Sequence, residues 1–275
     1  MKKVLALEDS RKVGFGGGQK GSLEVLESLA QDFEITATDS VPDSVFATRA
    51  EKILGKPVHL LRSYGSAIGG DGGSFRIGLL ELFLFPFLTL WNLLGLVRLT
   101  RAEQMSAENA ILYAPSKKTL VLAWLLSSIK GIPFVYHART VDKRSSPFFG
   151  VFALMLRRAA VILCVSEVVT KNLNMPQCRL LYNAVPIREH VHARQLPVFS
   201  ADEQKFVVAA FASLIPLKGL QYLVESAGLV RHGDKVEVRI YGEGPLEQTL
   251  KQLSPPNCHL LGFAIDVDDL LSRDI

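Results

Sequence analysis

Cysteine is scarce in this chain. Cys164, Cys178 and Cys258 are the three among 275 residues, they stand far apart, and no Cys-x-x-Cys occurs. That excludes a disulfide-stapled scaffold and a zinc-ribbon or thioredoxin-type motif, and it reads as small buried hydrophobes in a reducing compartment. Dense positive charge is missing too. Lys and Arg number 31 against 27 Asp and Glu, a formal net charge of +4, with no Lys/Arg-rich face, so nucleic acid is not an expected partner. The charge balance suits an anionic substrate or a membrane surface and is equally ordinary for a soluble protein. Among six histidines only His190-x-His192 forms a close pair, and no cysteine or carboxylate cluster completes a metal site around it. No Gly-x-Ser-x-Gly surrounds Ser166, which removes the nucleophile elbow of a hydrolase. Residues 1–7 carry two lysines and a short apolar run, but Glu8-Asp9 cuts that run far below the length of a secretory signal core, so a first strand is expected there.

What is present is a globular composition, 48% hydrophobic and 21% charged, long enough for about two domains. Short β-rich apolar runs alternate with helical patterns. Strands are expected at 4–7, 33–38, 58–61, 110–113, 134–137, 160–165 and 179–182, with helices at 22–29, 43–54, 119–129 and 152–158. This alternation predicts an α/β protein with a parallel sheet. A polar stretch at 195–204 reads as a linker, separating a first domain over 1–195 from a second over 203–275. Residues 63–75, rich in Gly and Ser, and 142–149 read as loops.

The second domain opens with an apolar strand at 206–212, a break through Ser213 to Gly219, a helix at 220–230, and a strand at 236–241 ending in Gly242-Glu243-Gly244-Pro245. A strand–turn–helix–strand unit wants a right-handed crossover, and α/β proteins bind ligands in the turns after such strands. Lys218 precedes a helix N-terminus, whose unpaired N–H groups make phosphate the natural guest. Gly242 and Gly244 are read as allowing a close backbone approach to a ligand, with Pro245 in the first turn of the following helix. Beyond it, a helix to 253, a strand at 258–261 and a short helix at 266–271 are expected.

Two stretches support several readings. Gly16-x-Gly18-x-x-Gly21, with Asp39 further on, fits a dinucleotide fingerprint and so an NAD-type oxidoreductase. Against that, the first glycine should follow the strand at once, whereas residues 8–15 intervene. Residues 77–97 are apolar apart from Glu81, Thr89 and Asn92. They read as a buried helix, a helix lying in a membrane surface, or a span; Pro86 and the strands on both sides weigh against the span.

Several of these passages resemble the retaining glycosyltransferases of family 4, which have the GT-B fold. The family motif runs Gly-Arg-Leu, three residues, Lys-Gly, and later Gly-x-Gly-Pro; Lys218-Gly219 and Gly242-x-Gly244-Pro245 match it, while Ala212 and Ser213 stand where Gly-Arg is usual. Gly16-Gly17-Gly18-Gln19 resembles the family's early glycine segment, and Gly131-Ile132-Pro133 leading to His137 resembles its helix, Gly-x-Pro, strand, His passage. Val165-Ser166-Glu167 and Asn183-Ala184-Val185 resemble two further stretches. The resemblance implies two Rossmann-like domains, the second incomplete at Ile275, where relatives continue to a pair of glutamates that grips the donor. It implies transfer of a sugar from a nucleotide diphosphate sugar to a hydroxyl of a glycan or lipid-linked acceptor, with retention. Neither a cofactor nor a metal is expected. His137 and Lys218 would be catalytic. Gly17, Gly18, Ser213, Lys218, Gly242 and Gly244 would bind the donor, and Arg139, Ser166, Glu167 and Asn183 would lie on the acceptor side. For Ser166 a plain helix cap is an equal reading. Arg139, two residues past His137, is expected to face the same side and offer a fork of donors to phosphate or carboxylate. The implied location is cytoplasmic, with peripheral contact at the inner membrane face through 77–97. A non-catalytic protein that binds glycan or membrane is the remaining alternative.

Overall fold

In a first strand, β1 (Lys3–Leu7), Val4 and Ala6 pack against one hydrophobic core while Leu5 and Leu7 pack against another, and all four are buried. A strand apolar on both faces belongs inside a parallel sheet covered by helices on both sides. The computed structural model describes residues 2–10, 16–63, 79–141, 149–183, 205–231 and 235–264, together with 267 and 270. His190, His192 and the linker expected at 195–204 lie outside the described residues, as do most of the loops at 63–75 and 142–149 and most of the helix at 266–271.

β1 pairs in parallel with β2 (Glu34–Asp39) on one side and with β4 (Ala110–Ala114) on the other. With β3 (His59–Leu60), β5 (Phe134–Ala138), β6 (Val161–Cys164) and β7 (Cys178–Leu180), the sheet runs β3-β2-β1-β4-β5-β6-β7, every pair parallel. Helices α1 (Gly17–Leu29) and α2 (Val45–Leu54) cover the face of Val4, Ala6, Ile35 and Ala37. Helices α3 (Leu79–Ala102), α4 (Lys117–Lys130), α5 (Phe149–Leu156) and α6 (Glu167–Leu173) cover the face of Leu5, Leu7, Leu112 and Phe134.

Two boundaries matter for the site. The glycines at 16–21 were expected in a loop before a helix at 22–29. Instead Gly16 is the N-cap and Gly17 and Gly18 form the first turn of α1, with Gln19 Oε1 accepting the Gly16 N–H at 3.0 Å. In α3, which extends to Ala102, Leu93 and Leu96 are buried against the sheet with Asn92 and Thr100. The opposite side is apolar and exposed, Phe83 at 70%, Phe87 at 73% and Trp91 at 63%, with Leu84, Leu90 and Leu94. By length and composition α3 could cross a membrane, yet β3 before it and β4 after it belong to one sheet. That single sheet excludes the span.

β8 (Phe206–Phe211), β9 (Val236–Tyr241) and β10 (Cys258–Leu260) form a second parallel sheet in the order β10-β9-β8. It is a separate compact unit. A 3-10 turn at Pro216–Lys218 leads into α7 (Leu220–Gly228), and α8 (Glu247–Leu253) follows β9. Leu214, Leu220, Val224, Ile240 and Leu250 build its core. Pro245 does not open α8, whose N-cap is Leu246. Gly242 and Gly244 bring the turn after β9 against the turn after β8, with backbone filling the side on which a Cβ would lie. Their φ values are 152° and 159°, and an added Cβ would meet Ala212 O at 1.9 Å and Leu214 O at 2.5 Å. Three backbone bonds lock the two turns: Ala212 N–H to Tyr241 O at 3.0 Å, Leu214 N–H to Glu243 O at 2.9 Å, and Leu246 N–H to Leu214 O at 3.0 Å.

Gly242→Ala is therefore expected to cost more than about 2 kcal/mol in urea unfolding, through strain at positive φ and the carbonyl clash. Gly228→Ala, whose Cβ would meet nothing nearer than 3.9 Å, should be neutral or stabilising by about 0.5–1 kcal/mol. Equal losses at both positions would contradict this account of the turn.

Candidate functional site

The strand order reverses between β1 and β4, and in open α/β sheets the carboxyl ends of the strands beside such a reversal form the binding crevice. Side-chain alternation decides what gathers there. Val4 and Ala6 face α1, so Glu8, one step past β1, continues that series; Tyr113 and Val135 share the face, so His137 and Arg139 follow it. The structure brings all four together beneath the first turns of α1.

Arg139 holds the group. Its Nη1 donates to Gly18 O, and its Nη2 lies 3.2 Å from Ser22 Oγ, 3.2 Å from the Tyr113 hydroxyl and 3.3 Å from His137 Nδ1. The Ser22 hydroxyl donates to Glu8 Oε2 at 2.7 Å, and Tyr113 Oη lies 2.7 Å from His137 Nδ1. His137 Nε2 is buried with no hydrogen-bond partner among the described residues. Burial pushes the Glu8 carboxyl up to about 7, against the opposing pulls of Ser22, the Asp9 N–H and the Arg139 charge. Burial raises Tyr113 to about 12. Burial and the Arg139 charge lower His137 to about 4, so its ring is neutral at pH 7. Arg139 does face the side of His137, as expected, but its fork of donors is taken up by the protein's own oxygens and ring nitrogen.

A second polar cluster ties β1 to β2. Asp39 is 0% exposed; its Oδ1 accepts the N–H groups of Ser10 and Ser40 at 2.7 Å, and its Oδ2 accepts the Ser44 hydroxyl. Asp9 accepts the Ser40 hydroxyl and pairs with Lys118 at 2.8 Å. Asp39 is thus spent on the scaffold and presents no oxygen to a ribose, which, with eight residues between β1 and Gly16, removes both halves of the dinucleotide fingerprint.

The first turn of α1 keeps the character of an anion site. Gly16, Gly17 and Gly18 are exposed, the helix has no acidic residue in its first turn, and a Cβ at Gly16 or Gly17 would meet nothing within 4 Å. In the second unit Lys218 is exposed, with no ion pair among the described residues, and Gly219 at φ 67° turns the chain from it into α7. Ser213 is exposed beside it in sequence, in the turn locked by Gly242 and Gly244. Ser166 is a helix cap, its hydroxyl accepting the Val169 N–H at 3.3 Å, and Glu167 pairs with Lys171 on the surface at 3.1 Å. Asn183 is exposed past β7. Among the described residues no three His, Cys, Asp or Glu side chains come together as a metal site.

Glu8, Ser22 and Tyr113 were missed in the sequence. For Glu8 and Tyr113 the signal was a polar residue at or just beyond the end of an apolar parallel strand, on the face opposite Leu7 and Ala114; for Ser22 it was a polar residue on the buried side of α1, one position before Leu23.

No family model matches the chain, and no curated protein matches it. Solved structures do. Anabaena HepE in complex with UDP and glucose is 18% identical, over 99% of this chain and 72% of that one, with a TM-score of 0.70. The apo lipopolysaccharide outer core galactosyltransferase WaaB is 13% identical over 99% and 71%, with a TM-score of 0.62. A UDP-N-acetylglucosamine 2-epimerase from Rickettsia bellii is 13% identical over 96% and 70%, with a TM-score of 0.53. At these identities the likeness is one of fold: two Rossmann-like parallel α/β units of the GT-B type.

The two shifted carboxyl and imidazole groups act oppositely on stability. An unfolded His137 takes up a proton below about pH 6.5 that the folded ring refuses until about pH 4, so it weakens the fold as pH falls. Folded Glu8 keeps a proton to about pH 7 that the unfolded chain loses near pH 4.5, so it weakens the fold as pH rises. Glu8→Gln removes only the second effect. Its stability relative to the wild type should climb from pH 4.5 to 7, by up to about 1.4 kcal/mol per pH unit. A difference that stays constant across that window in parallel urea titrations would contradict the buried Glu8.

Proposed function

We propose that this protein is a retaining glycosyltransferase of the family 4 type, moving a sugar from a nucleotide diphosphate sugar to a hydroxyl acceptor. The observation that carries the reading is the turn after β8. It presents Ser213 and an exposed Lys218, with no ion pair among the described residues, just ahead of the α7 N-terminus, and the neighbouring turn of Gly242 and Gly244 holds it by backbone bonds. HepE and the other nucleotide-sugar proteins of this fold lend support.

When the bond between the sugar carbon and the diphosphate oxygen breaks, its electron pair leaves with the diphosphate. Lys218 and the helix N-terminus offset the charge that builds there. Gly17 and Gly18 offer N–H groups of the α1 first turn to an anionic oxygen, and His137 contacts the sugar. Arg139 acts here as a brace for His137 rather than as an acceptor ligand. No metal enters the proposal.

The acceptor side we assign to a lipid-linked or glycan hydroxyl, with peripheral docking at an anionic membrane face through α3. Its exposed Phe83, Phe87, Leu90, Trp91 and Leu94 are flanked by the exposed Arg98 and Arg101, and the Arg62 guanidinium lies 5.4 Å from the Trp91 ring centroid. A hollow of about 320 Å³ lined by Leu60, Leu61, Arg62, Trp91, Asn92 and Gly95 adjoins this face.

UDP-glucose or UDP should raise the melting temperature of the protein, NAD should not, and Lys218→Ala should abolish the shift while folding normally. A shift with NAD alone would restore the oxidoreductase reading, and vesicle binding without any nucleotide effect would favour a non-catalytic binder. On vesicles containing anionic phospholipid, Phe87→Ser with Trp91→Ser should lower cosedimentation at least tenfold, leaving the UDP shift unchanged. Undiminished cosedimentation would remove α3 as the docking face.

A further inference from the structure

Helix α3 departs from its own pattern at Asn92 and Gly95, and both border the hollow beside β3. Asn92 is a polar residue 1% exposed in a mostly apolar stretch, and both ends of its amide are spent on one residue. Its Oδ1 accepts the Arg62 N–H at 2.7 Å, and its Nδ2 donates to Arg62 O at 2.9 Å. The backbone from which the Arg62 side chain leaves is thereby fixed. Gly95 lies in the helix interior, where glycine is a poor helix former. A Cβ there would meet nothing within 4 Å, so no neighbour in the protein requires a glycine; its effect is to keep the hollow open. Leu60, Leu61, Arg62, Trp91, Asn92 and Gly95 line about 320 Å³, the lower end of the range for ligand sites, which combine an apolar lining with few polar groups. The one charged group here is Arg62. Its guanidinium lies over the Trp91 ring, 5.4 Å from the centroid, and among the described residues no carboxylate pairs with it. Stacking of this kind covers the ring face and leaves the planar edge of N–H donors open.

We propose that this hollow is the phosphate site of a lipid-linked acceptor: Arg62 holds the phosphate that joins the acceptor sugar to a long apolar chain, and the chain lies along Trp91, Phe87 and Phe83 of α3. That the ligand is an acceptor rests on the glycosyl-transfer reading above. Charge complementarity selects the headgroup. A guanidinium meets phosphate through paired N–H donors, whereas a quaternary ammonium would seek the Trp91 face that Arg62 already covers. Topology places the chain. Phe83, Phe87 and Trp91 recur at four-residue steps on one exposed side of α3. The helix returns from the carboxyl end of β3 to the amino end of β4, so Phe87 and Phe83 lie beyond Trp91 on the carboxyl side of the sheet. β3 stands two places from β1, about 10 Å at the usual strand spacing. A phosphate held at Arg62 therefore leaves its sugar on the same edge of the sheet as the first turn of α1. Docking of α3 on an anionic membrane needs only the exposed stripe and its flanking charges; the hollow adds recognition of one lipid molecule.

The test is tryptophan fluorescence of the full chain carrying Trp124→Phe, which leaves Trp91 as its one tryptophan. Decyl phosphate, kept below its micelle concentration, should change the emission saturably. Decanol, the chain without the phosphate, should bind at least about tenfold more weakly, the worth of a charge-assisted hydrogen bond. Inorganic phosphate at the same concentration should give no change. Arg62→Gln should bring decyl phosphate down to the affinity of decanol. Gly95→Leu, which fills the hollow, should remove the decyl phosphate response while anionic phospholipid vesicles still bind through the exposed stripe. Equal affinities for decyl phosphate and decanol in the parent chain, or undiminished decyl phosphate binding in Arg62→Gln, would overturn the phosphate site. Saturation by inorganic phosphate alone would make the hollow a free-anion site and overturn the lipid assignment. If Gly95→Leu fails to fold, Arg62→Gln decides by itself, since that side chain is exposed. A melting shift with UDP-glucose but no response to decyl phosphate would overturn the hollow and leave the transfer reading standing. A decyl phosphate response without any nucleotide shift would keep the lipid phosphate site and remove its part in transfer.

Discussion

The first unit depends on one half-buried guanidinium. Arg139 leaves the end of β5 and ties the first turns of α1 to β4 and β5 through Gly18, Ser22, Tyr113 and His137. Beneath it Glu8 closes the end of β1 through Ser22. A group that only donates cannot sit passively among hydroxyls and a ring nitrogen; it orients each of them. Burial first, and then the same positive charge, keeps His137 from charging, while burial raises Glu8 against smaller pulls from Ser22, the Asp9 N–H and Arg139. The seating of α1 on the strand ends and the hydrogen bonds around the ring thus converge on one side chain.

The second unit is held differently, by backbone rather than by side chains. The turn carrying Ser213 and Lys218 is fixed because the turn after β9 lies against it closely enough that carbonyl oxygens of Ala212 and Leu214 occupy the space of two missing Cβ atoms. Glycine's cost in conformational entropy is offset there by three hydrogen bonds between the turns. The result is a rigid base beneath the exposed Lys218.

Helix α3 faces two environments. Its inner side packs on the sheet with buried Asn92 holding the backbone at Arg62 by two hydrogen bonds, and its outer side is a run of large apolar side chains. That dual character is why neither a buried helix nor a span describes it, and why hydropathy along the chain could not distinguish the two.

The sequence by itself determined the α/β class, the alternation of strands and helices, and the face on which each strand residue lies, because burial on both sides of a parallel strand leaves a period of two that any reader can follow. His137 with Arg139 was legible for that reason; Lys218 ahead of a helix and the cap at Ser166 were legible from local helix-start patterns. Tertiary structure alone decided which strands are neighbours. Order β3-β2-β1-β4-β5-β6-β7 is a matter of long-range packing, and it is this order that sets Glu8 under α1 and Tyr113 beside His137. It also decided a packing role for the glycines: the Gly-x-Gly after β9 makes the contact between two turns, since a missing side chain does not say what fills its place. Asp39 shows the same limit. Its spacing from Gly18 suited a ribose, but three hydrogen bonds from residues near it in space had already taken both oxygens.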